Sequence, residues 1–171
     1  MAELHTLTLP GPMLQRRFWL FVWRIDTLKG EHLYVGRTGD NSSPCATAPY
    51  TRMGQHLGFQ KASNSLRRLR SEQGIEPEQC ARFDLVSYGP IFPEIGKTIE
   101  QDHGEQIELH LPVRDRMAGL ERDLRDALAD AGYSVLNVVR SKAKSDPDTW
   151  PDVLAAFSAN FPKLKVGAAN E

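Results

Sequence analysis

The sequence has little cysteine, almost no net charge and no long apolar run, and these shortages narrow the classes to which it can belong. Its two cysteines, Cys45 and Cys80, form neither a CxxC nor a Cys/His metal pattern, so we expect no disulfide framework and no structural zinc site. The formal net charge of −1 indicates no particular partner. The apolar run 18–25 is too short to span a bilayer and no secretory signal precedes it, so we expect a cytoplasmic protein without a membrane partner.

What is present is the composition of an ordinary globular protein. The chain has 171 residues, of which 40% are hydrophobic and 25% are charged. That length suffices for one well-buried domain and is short for two. We therefore expect a single domain rather than a disordered chain.

The charged residues are distributed unevenly. Residues 50–82 carry six basic and three acidic side chains, whereas residues 94–130 carry five basic and ten acidic ones. A polyanion is expected to meet the first segment, unless both segments are ordinary solvated faces. The candidate nucleic-acid contacts are Arg37, Lys61 and three arginines predicted to point outward from a helix, Arg67, Arg68 and Arg70.

The spacing of apolar and turn residues predicts alternating short strands and helices. The predicted elements are strands at 17–25 and 32–36 joined as a hairpin, helices at 49–57 and after a cap at Ser63 or Asn64, a strand at 81–88, a helix at 114–131, an extended segment at 133–138 and a helix at 148–161. Gly89-Pro90 is expected to end the third strand. Residues 91–113 keep no single period and are expected to be partly helical.

The stretch Tyr34-Val35-Gly36-Arg37-Thr38 is the most informative part of the sequence. A strand that ends in Tyr-Val-Gly points the phenol of Tyr34 to one face, and Gly36 admits a close approach of backbone or ligand. Arg52 and His56 lie four residues apart on the next predicted helix, so a permanent cation and a titratable imidazole can meet the same small anion.

Glu121 is the candidate acidic partner of this group. On a helical wheel it falls about 20° from Leu128, so its carboxylate is expected to lean towards the core. Simpler roles remain open for each candidate. Glu121 can pair with Arg125 at i+4, and Tyr34, His56 and Asn137 can be a core tyrosine, a surface residue and a turn residue.

The order of these landmarks resembles the GIY-YIG nuclease superfamily. The step from Trp23 to Tyr34 is eleven residues, as between the two signature tyrosines of that family. Leu120-Glu121 and the later segment 132–137, Gly-Tyr-Ser-Val-Leu-Asn, are similar to its glutamate helix and its asparagine ending. The resemblance spans about residues 18–138, and Trp23 replaces the first signature tyrosine. An indole offers only an N–H donor, so it cannot act as the base.

The resemblance implies an α/β (α+β) fold with a small, three-stranded, mainly antiparallel sheet flanked by helices. It divides the chain into an irregular lead-in at 1–16, a nuclease-like domain at 17–140 with an insertion around 91–118, and a C-terminal helical extension at 141–171. The expected motif equivalents are Trp23 and Gly36.

It also implies metal-dependent endonuclease activity on DNA. Glu121 would hold one Mg²⁺ or Mn²⁺, Arg52 would neutralise the scissile phosphate, and Tyr34, with a lowered pKa or with help from His56, would activate water. Asn137 would orient Glu121 or the hairpin backbone.

Two other hypotheses remain, a catalytically inactive binding module on the same fold and an unrelated α/β domain whose spacing mimics the family. Whether the DNA is single- or double-stranded, and whether the protein forms a homodimer, is open at this point.

Overall fold

Three antiparallel strands form the sheet, in the order β2-β1-β3, in a computed structural model that describes residues 2–39, 44–95 and 102–165. The strands are β1 (Phe18–Thr27), β2 (Gly30–Arg37) and β3 (Arg82–Phe92). β1 and β2 form a hairpin in which Thr27 faces Gly30, so both strands reach further into the predicted turn than expected. The expected fold class, α+β with a small antiparallel sheet, is confirmed.

The central strand has a buried face on each side, because its aromatic and aliphatic side chains alternate between two helical layers. Phe21, Trp23 and Ile25 face α1 (Pro49–Leu57) and α2 (Ser65–Glu72). Leu20 and Val22 face α3 (His103–Asp130) and α4 (Trp150–Ser158). The sheet therefore separates a layer that carries Arg52 and His56 from a layer that carries Glu121.

The third strand continues past Gly89-Pro90, and the prediction that this dipeptide ends it is wrong. β3 lies at an edge of the sheet, where a proline without an N–H is tolerated. The register shifts between Phe18 and Leu20, which pair with Phe92 and Tyr88. This irregularity accommodates the dipeptide within the strand.

Helix α3 begins at His103, eleven residues before the predicted start at Arg114. Asp102 and Glu105 form a capping box, in which Asp102 Oδ1 accepts from the Glu105 N–H at 2.9 Å and Glu105 Oε2 accepts from the Asp102 N–H at 3.2 Å. Much of the expected insertion therefore belongs to the helix that carries Glu121. Residues 96–101 of that segment lie outside the described residues.

The remaining predictions of secondary structure agree with the structure apart from element ends. The helix at 49–57 has the expected bounds, and Asn64 precedes α2. The last helix is shorter than the predicted 148–161. The lead-in is irregular except for a 3-10 turn at Gly11–Leu14, and residues 40–43 of the predicted loop lie outside the described part of the chain. None of the helices described is long and apolar enough for a membrane span.

Candidate functional site

The extended segment 133–138, here called the return segment, follows α3 and is hydrogen-bonded to the end of the hairpin. The segment runs parallel to β2, where the Leu33 N–H donates to Ser134 O and the Leu136 N–H donates to Leu33 O, both at 2.8 Å. Asn137 then makes two hydrogen bonds to one residue. Its Oδ1 accepts from the Val35 N–H at 3.0 Å, and its Nδ2 donates to Val35 O at 2.8 Å. Asn137 was expected to orient either Glu121 or the hairpin backbone. Its hydrogen bonds are to the hairpin backbone.

Gly36 is required by the packing beneath the strand. A Cβ placed on it would lie 2.5 Å from Cε2 of Phe21, which is closer than carbon atoms approach. The ring of Phe21 therefore occupies the space that any other residue at position 36 would need. The glycine of the Tyr-Val-Gly pattern in β2 is therefore explained by its close contact with the ring of Phe21.

A cavity of about 220 Å³ opens beside Gly36, where β2, α1 and α3 meet. Its lining residues come from three distant parts of the sequence. They are Tyr34, Gly36, Arg37, Gly39, Arg52, His56 and Glu121. Four of the five predicted catalytic residues thus line one cavity, and the fifth, Asn137, lies beside β2 and is hydrogen-bonded to its backbone.

Glu121 forms an ion pair with Arg37. Its Oε2 accepts from Arg37 Nε at 3.1 Å, and the two side chains are only 17% and 15% exposed. Arg37 Nη1 also donates to Gly39 O at 2.6 Å. The alternative pairing with Arg125 does not occur, because Arg125 contacts Asp126 and Asn137 O instead. Burial raises the pKa of Glu121, and the charge of Arg37 opposes that rise.

Arg52 carries a charge that no carboxylate in the described parts of the chain neutralises by direct contact. Its Nη1 donates to Gln55 Oε1 at 3.2 Å, while its enclosed Nε has no hydrogen-bond partner among the described residues. A permanently charged guanidinium at a cavity wall is suited to binding an anion.

His56 is only 7% exposed and lies between two aromatic rings. Its ring centroid is 5.5 Å from that of Phe21 and 5.3 Å from that of Tyr34. Burial, and then the charge of Arg52, lowers the pKa of His56 to about 4. The imidazole is therefore neutral at neutral pH, with one ring nitrogen unprotonated, and it is a weaker base than an exposed histidine.

Tyr34 does not have the lowered pKa that was one of its two expected ways of activating water. Burial raises its pKa, and this effect outweighs the hydrogen bond with Ser65 and the charge of Arg52. The Tyr34 hydroxyl lies 3.1 Å from Ser65 Oγ, and its ring meets that of His56 edge to face at 80°. Tyr34 is accordingly a neutral phenol at neutral pH. Of the two expected ways in which it could activate water, the lowered pKa is wrong, and assistance by His56 stays a prediction.

The residues of the cavity fit a divalent cation held by one carboxylate. Glu121 Oε1 accepts no hydrogen bond from the described residues, so one oxygen stays free beside the Arg37 ion pair. No cluster of three or more His, Cys, Asp or Glu side chains able to hold a metal occurs in those residues. A single carboxylate suits Mg²⁺ or Mn²⁺, which keep several waters and bind phosphate oxygens. A closed site built from several protein ligands does not fit.

Trp23 belongs to the core and does not line the cavity. It pairs with Tyr34 across the hairpin and is 1% exposed. Its ring meets that of Phe83 at a centroid distance of 6.2 Å and an angle of 90°. Trp23 therefore contributes packing, and its Nε1 has no hydrogen-bond partner among the residues that the structure describes.

The predicted nucleic-acid contacts separate into exposed and buried residues. Arg68 is exposed and lies 3.7 Å from Glu72, whereas Arg67 pairs with Glu78. Arg70 is completely buried, so its predicted outward position is wrong. It follows the buried Leu66 by four residues, which places both on the same face of α2. Lys61 is exposed in the turn before α2.

Sequence reasoning missed the role of Arg37 in the cavity, although the alternation of β2 contained the signal. Arg37 follows Tyr34 by three residues, so it points to the opposite face of the strand, towards α3. Ser65, the partner of the Tyr34 hydroxyl, had no distinguishing signal beyond its place at the start of a helix.

No family model, no curated protein and no solved structure matches this chain.

Proposed function

We propose that this protein is a metal-dependent endonuclease of the GIY-YIG type that hydrolyses phosphodiester bonds in DNA. One observation carries the proposal: Glu121, the unneutralised Arg52 and the neutral His56 line the same cavity. Such a trio provides a site for a divalent cation, a cation for the phosphate and an acceptor for a proton. These are the three requirements of phosphodiester hydrolysis by water.

Arg52 binds and stabilises the phosphate in this mechanism. Its planar, permanently charged guanidinium meets the negative charge that builds up on the phosphate oxygens as the attacking oxygen approaches phosphorus. Glu121 holds a cation of the Mg²⁺ or Mn²⁺ class, which when bound supplies Lewis-acid polarisation of a phosphate oxygen. Arg37 must then share the carboxylate of Glu121 or leave it.

His56 takes the proton in this mechanism, in place of Tyr34. As the water oxygen bonds to phosphorus and the P–O bond to the leaving group breaks, the proton of the water passes to the neutral imidazole. Tyr34, whose burial keeps the phenol protonated, orients the attacking water or a phosphate oxygen through its hydroxyl. Asn137 maintains this arrangement through Val35.

A cleavage assay tests the proposal. Plasmid and single-stranded DNA are incubated with the protein in Mg²⁺ or Mn²⁺, and we expect cleavage that Glu121→Ala abolishes. Arg52→Ala is expected to slow it by a factor of about 100 to 1,000, the cost of losing one preorganised charge at the transition state. Glu108→Ala, an exposed change on the same helix, is the matched control. Absence of cleavage, or cleavage that Glu121→Ala leaves intact, would sink the proposal.

A second candidate function is nucleic-acid binding without hydrolysis, and the Arg37–Glu121 ion pair favours it. In that case the pair is a permanent structural contact, and Glu121 never holds a cation. Binding would then depend on salt and proceed without turnover. Loss of cleavage in Glu121→Ala rejects this alternative.

A further inference from the structure

Phe59 is an exposed aromatic residue that follows helix α1, which carries Arg52 and His56. It lies in the turn between α1 and α2 and is 79% exposed. The turn follows His56, which lines the cavity, and precedes Ser65, whose hydroxyl contacts the cavity residue Tyr34. Three residues span at most about 11 Å, so the backbone of Phe59 lies within that distance of the backbone of His56.

The ring of Phe59 is supported on one face only. The guanidinium carbon of Arg67 lies 4.1 Å from its centroid. Arg67 is itself anchored, because its Nε donates to Leu57 O at 2.9 Å and its Nη2 donates to Glu78. This anchoring holds the guanidinium against the ring without drawing the ring into the core. The other face of the ring is left for a planar partner.

The segment of the chain that contains Phe59 is basic. The basic side chains of α1, α2 and the turn between them that are not fully buried are Arg52, Lys61, Arg67 and Arg68. The same stretch contains one acidic residue, Glu72. An aromatic ring among such charges matches the combination with which proteins bind single-stranded nucleic acid, stacking on bases and attraction to phosphates.

We propose that Phe59 stacks against an unpaired base that flanks the scissile phosphate, so that the substrate is DNA with a single-stranded segment at the cut. The inference rests on the proposed function, which places the scissile phosphate in the cavity.

Binding measurements without cleavage test the stacking. The full chain carrying Glu121→Ala is titrated, with a chelator present, into a fluorescent single strand and into the blunt duplex of the same sequence. Adding Phe59→Ala should weaken single-strand binding about 5- to 150-fold and leave duplex binding unchanged. Phe59→Trp should restore it. Leu28→Ala, which removes a 99% exposed side chain at the hairpin turn, is the control and should change neither.

The salt dependence separates stacking from charge. Phe59→Ala should leave the slope of log affinity against log salt unchanged, whereas Lys61→Ala should reduce it by about 0.7. A Phe59→Ala variant that binds single strands normally, or that weakens duplex and single strand equally, overturns the inference. The inference is also overturned if Phe59→Ala changes only self-association, as measured by sedimentation, because Phe59 would then be a contact between proteins.

Cleavage of strands with one abasic site locates the stacked base. In wild-type protein, an abasic site at one position near the cut should slow cleavage, and Phe59→Ala should remove that difference. If cleavage does not depend on the position of the abasic site, the stacking of Phe59 is contradicted and the proposed function is not. Absence of cleavage on every substrate contradicts the proposed function instead.

Discussion

Arg37 and Glu121 neutralise each other inside the cavity, and any cation that binds Glu121 must compete with this contact. Both side chains are largely buried, so the attraction between them is screened less than at a surface. Arg37 also lowers the free energy of the deprotonated carboxylate. It therefore has two opposing effects, since it keeps Glu121 charged and at the same time repels a cation.

Arg37→Ala is expected to tighten Mn²⁺ binding about tenfold, because it removes both a charge-assisted hydrogen bond to the carboxylate and a neighbouring positive charge. Electron paramagnetic resonance of free Mn²⁺ measures this without requiring activity. Arg68→Ala, an exposed change on α2, serves as the control and should leave Mn²⁺ affinity unchanged. Weaker Mn²⁺ binding in Arg37→Ala would contradict this expectation, because it would show that Arg37 acts mainly by keeping Glu121 charged.

His56→Ala should lower kcat by a factor of 100 or more, because it removes the proton acceptor. Tyr34→Phe should lower kcat by about tenfold at most, because a neutral phenol contributes one hydrogen bond. Single-turnover cleavage by both variants decides between the two groups. A larger loss in Tyr34→Phe would return the role of base to the phenol, against the burial that raises its pKa.

Arg37 and Arg70 explain why individual residues were only partly predictable from the sequence. Residue type and spacing identified Tyr34, Arg52, His56 and Glu121 as candidates, and all four line the cavity. The same information assigned Arg37 and Arg70 to a nucleic-acid surface. Their positions depend on which face of a strand or helix is covered, and this is decided by elements distant in sequence.

Helix α3 was predicted for its second half because only that half has a regular apolar stripe. The first half contains Pro112 and a mixed pattern, yet it is helical from His103. Asp102 and Glu105 form a capping box whose sequence signature, an acidic residue three positions after an N-cap residue, was available. Element ends were thus less predictable than the elements themselves, because caps and packing determine where a helix begins.

Asn137 links the return segment to β2, and its two hydrogen bonds can be removed separately. Asn137→Ala should lower the free energy of unfolding by about 2 to 3 kcal/mol, because it leaves both backbone groups of Val35 without a partner. Asn137→Asp keeps the acceptor for the Val35 N–H and loses the donor to Val35 O, so it should protect that amide from hydrogen exchange better than Asn137→Ala does.

Urea denaturation measures the stability of both variants, and hydrogen exchange of the Val35 amide reports the local effect. Asn160→Ala, an exposed change after α4, is the control. Equal exchange rates for Val35 in wild type and Asn137→Ala would contradict the assigned contact.

At the scale of the whole molecule, His56 makes stability depend on pH. Its pKa is about 4 in the folded protein and 6.5 when it is exposed, so between these values the unfolded chain binds more protons. Stability should therefore fall as the pH falls from 6.5 towards 4. His56 alone should account for about 2 kcal/mol between pH 7 and pH 5.

Urea denaturation at both pH values, for wild type and His56→Gln, checks this expectation. The glutamine variant should lose about 2 kcal/mol less than wild type over that interval, whatever its own stability at pH 7. Equal losses in the two proteins would show that His56 titrates normally in the folded state.

The pairing of the return segment with β2 has a consequence for the order in which the protein forms. Asn137 and Val35 are 102 residues apart, so the loop between them must close before the hairpin end is held. During synthesis, the hairpin and α1 leave the ribosome well before Glu121 and Asn137 do. A nascent chain therefore presents Arg52 and His56 without an assembled cavity, and the hydrolysis proposed above would have to wait until Asn137 has been added.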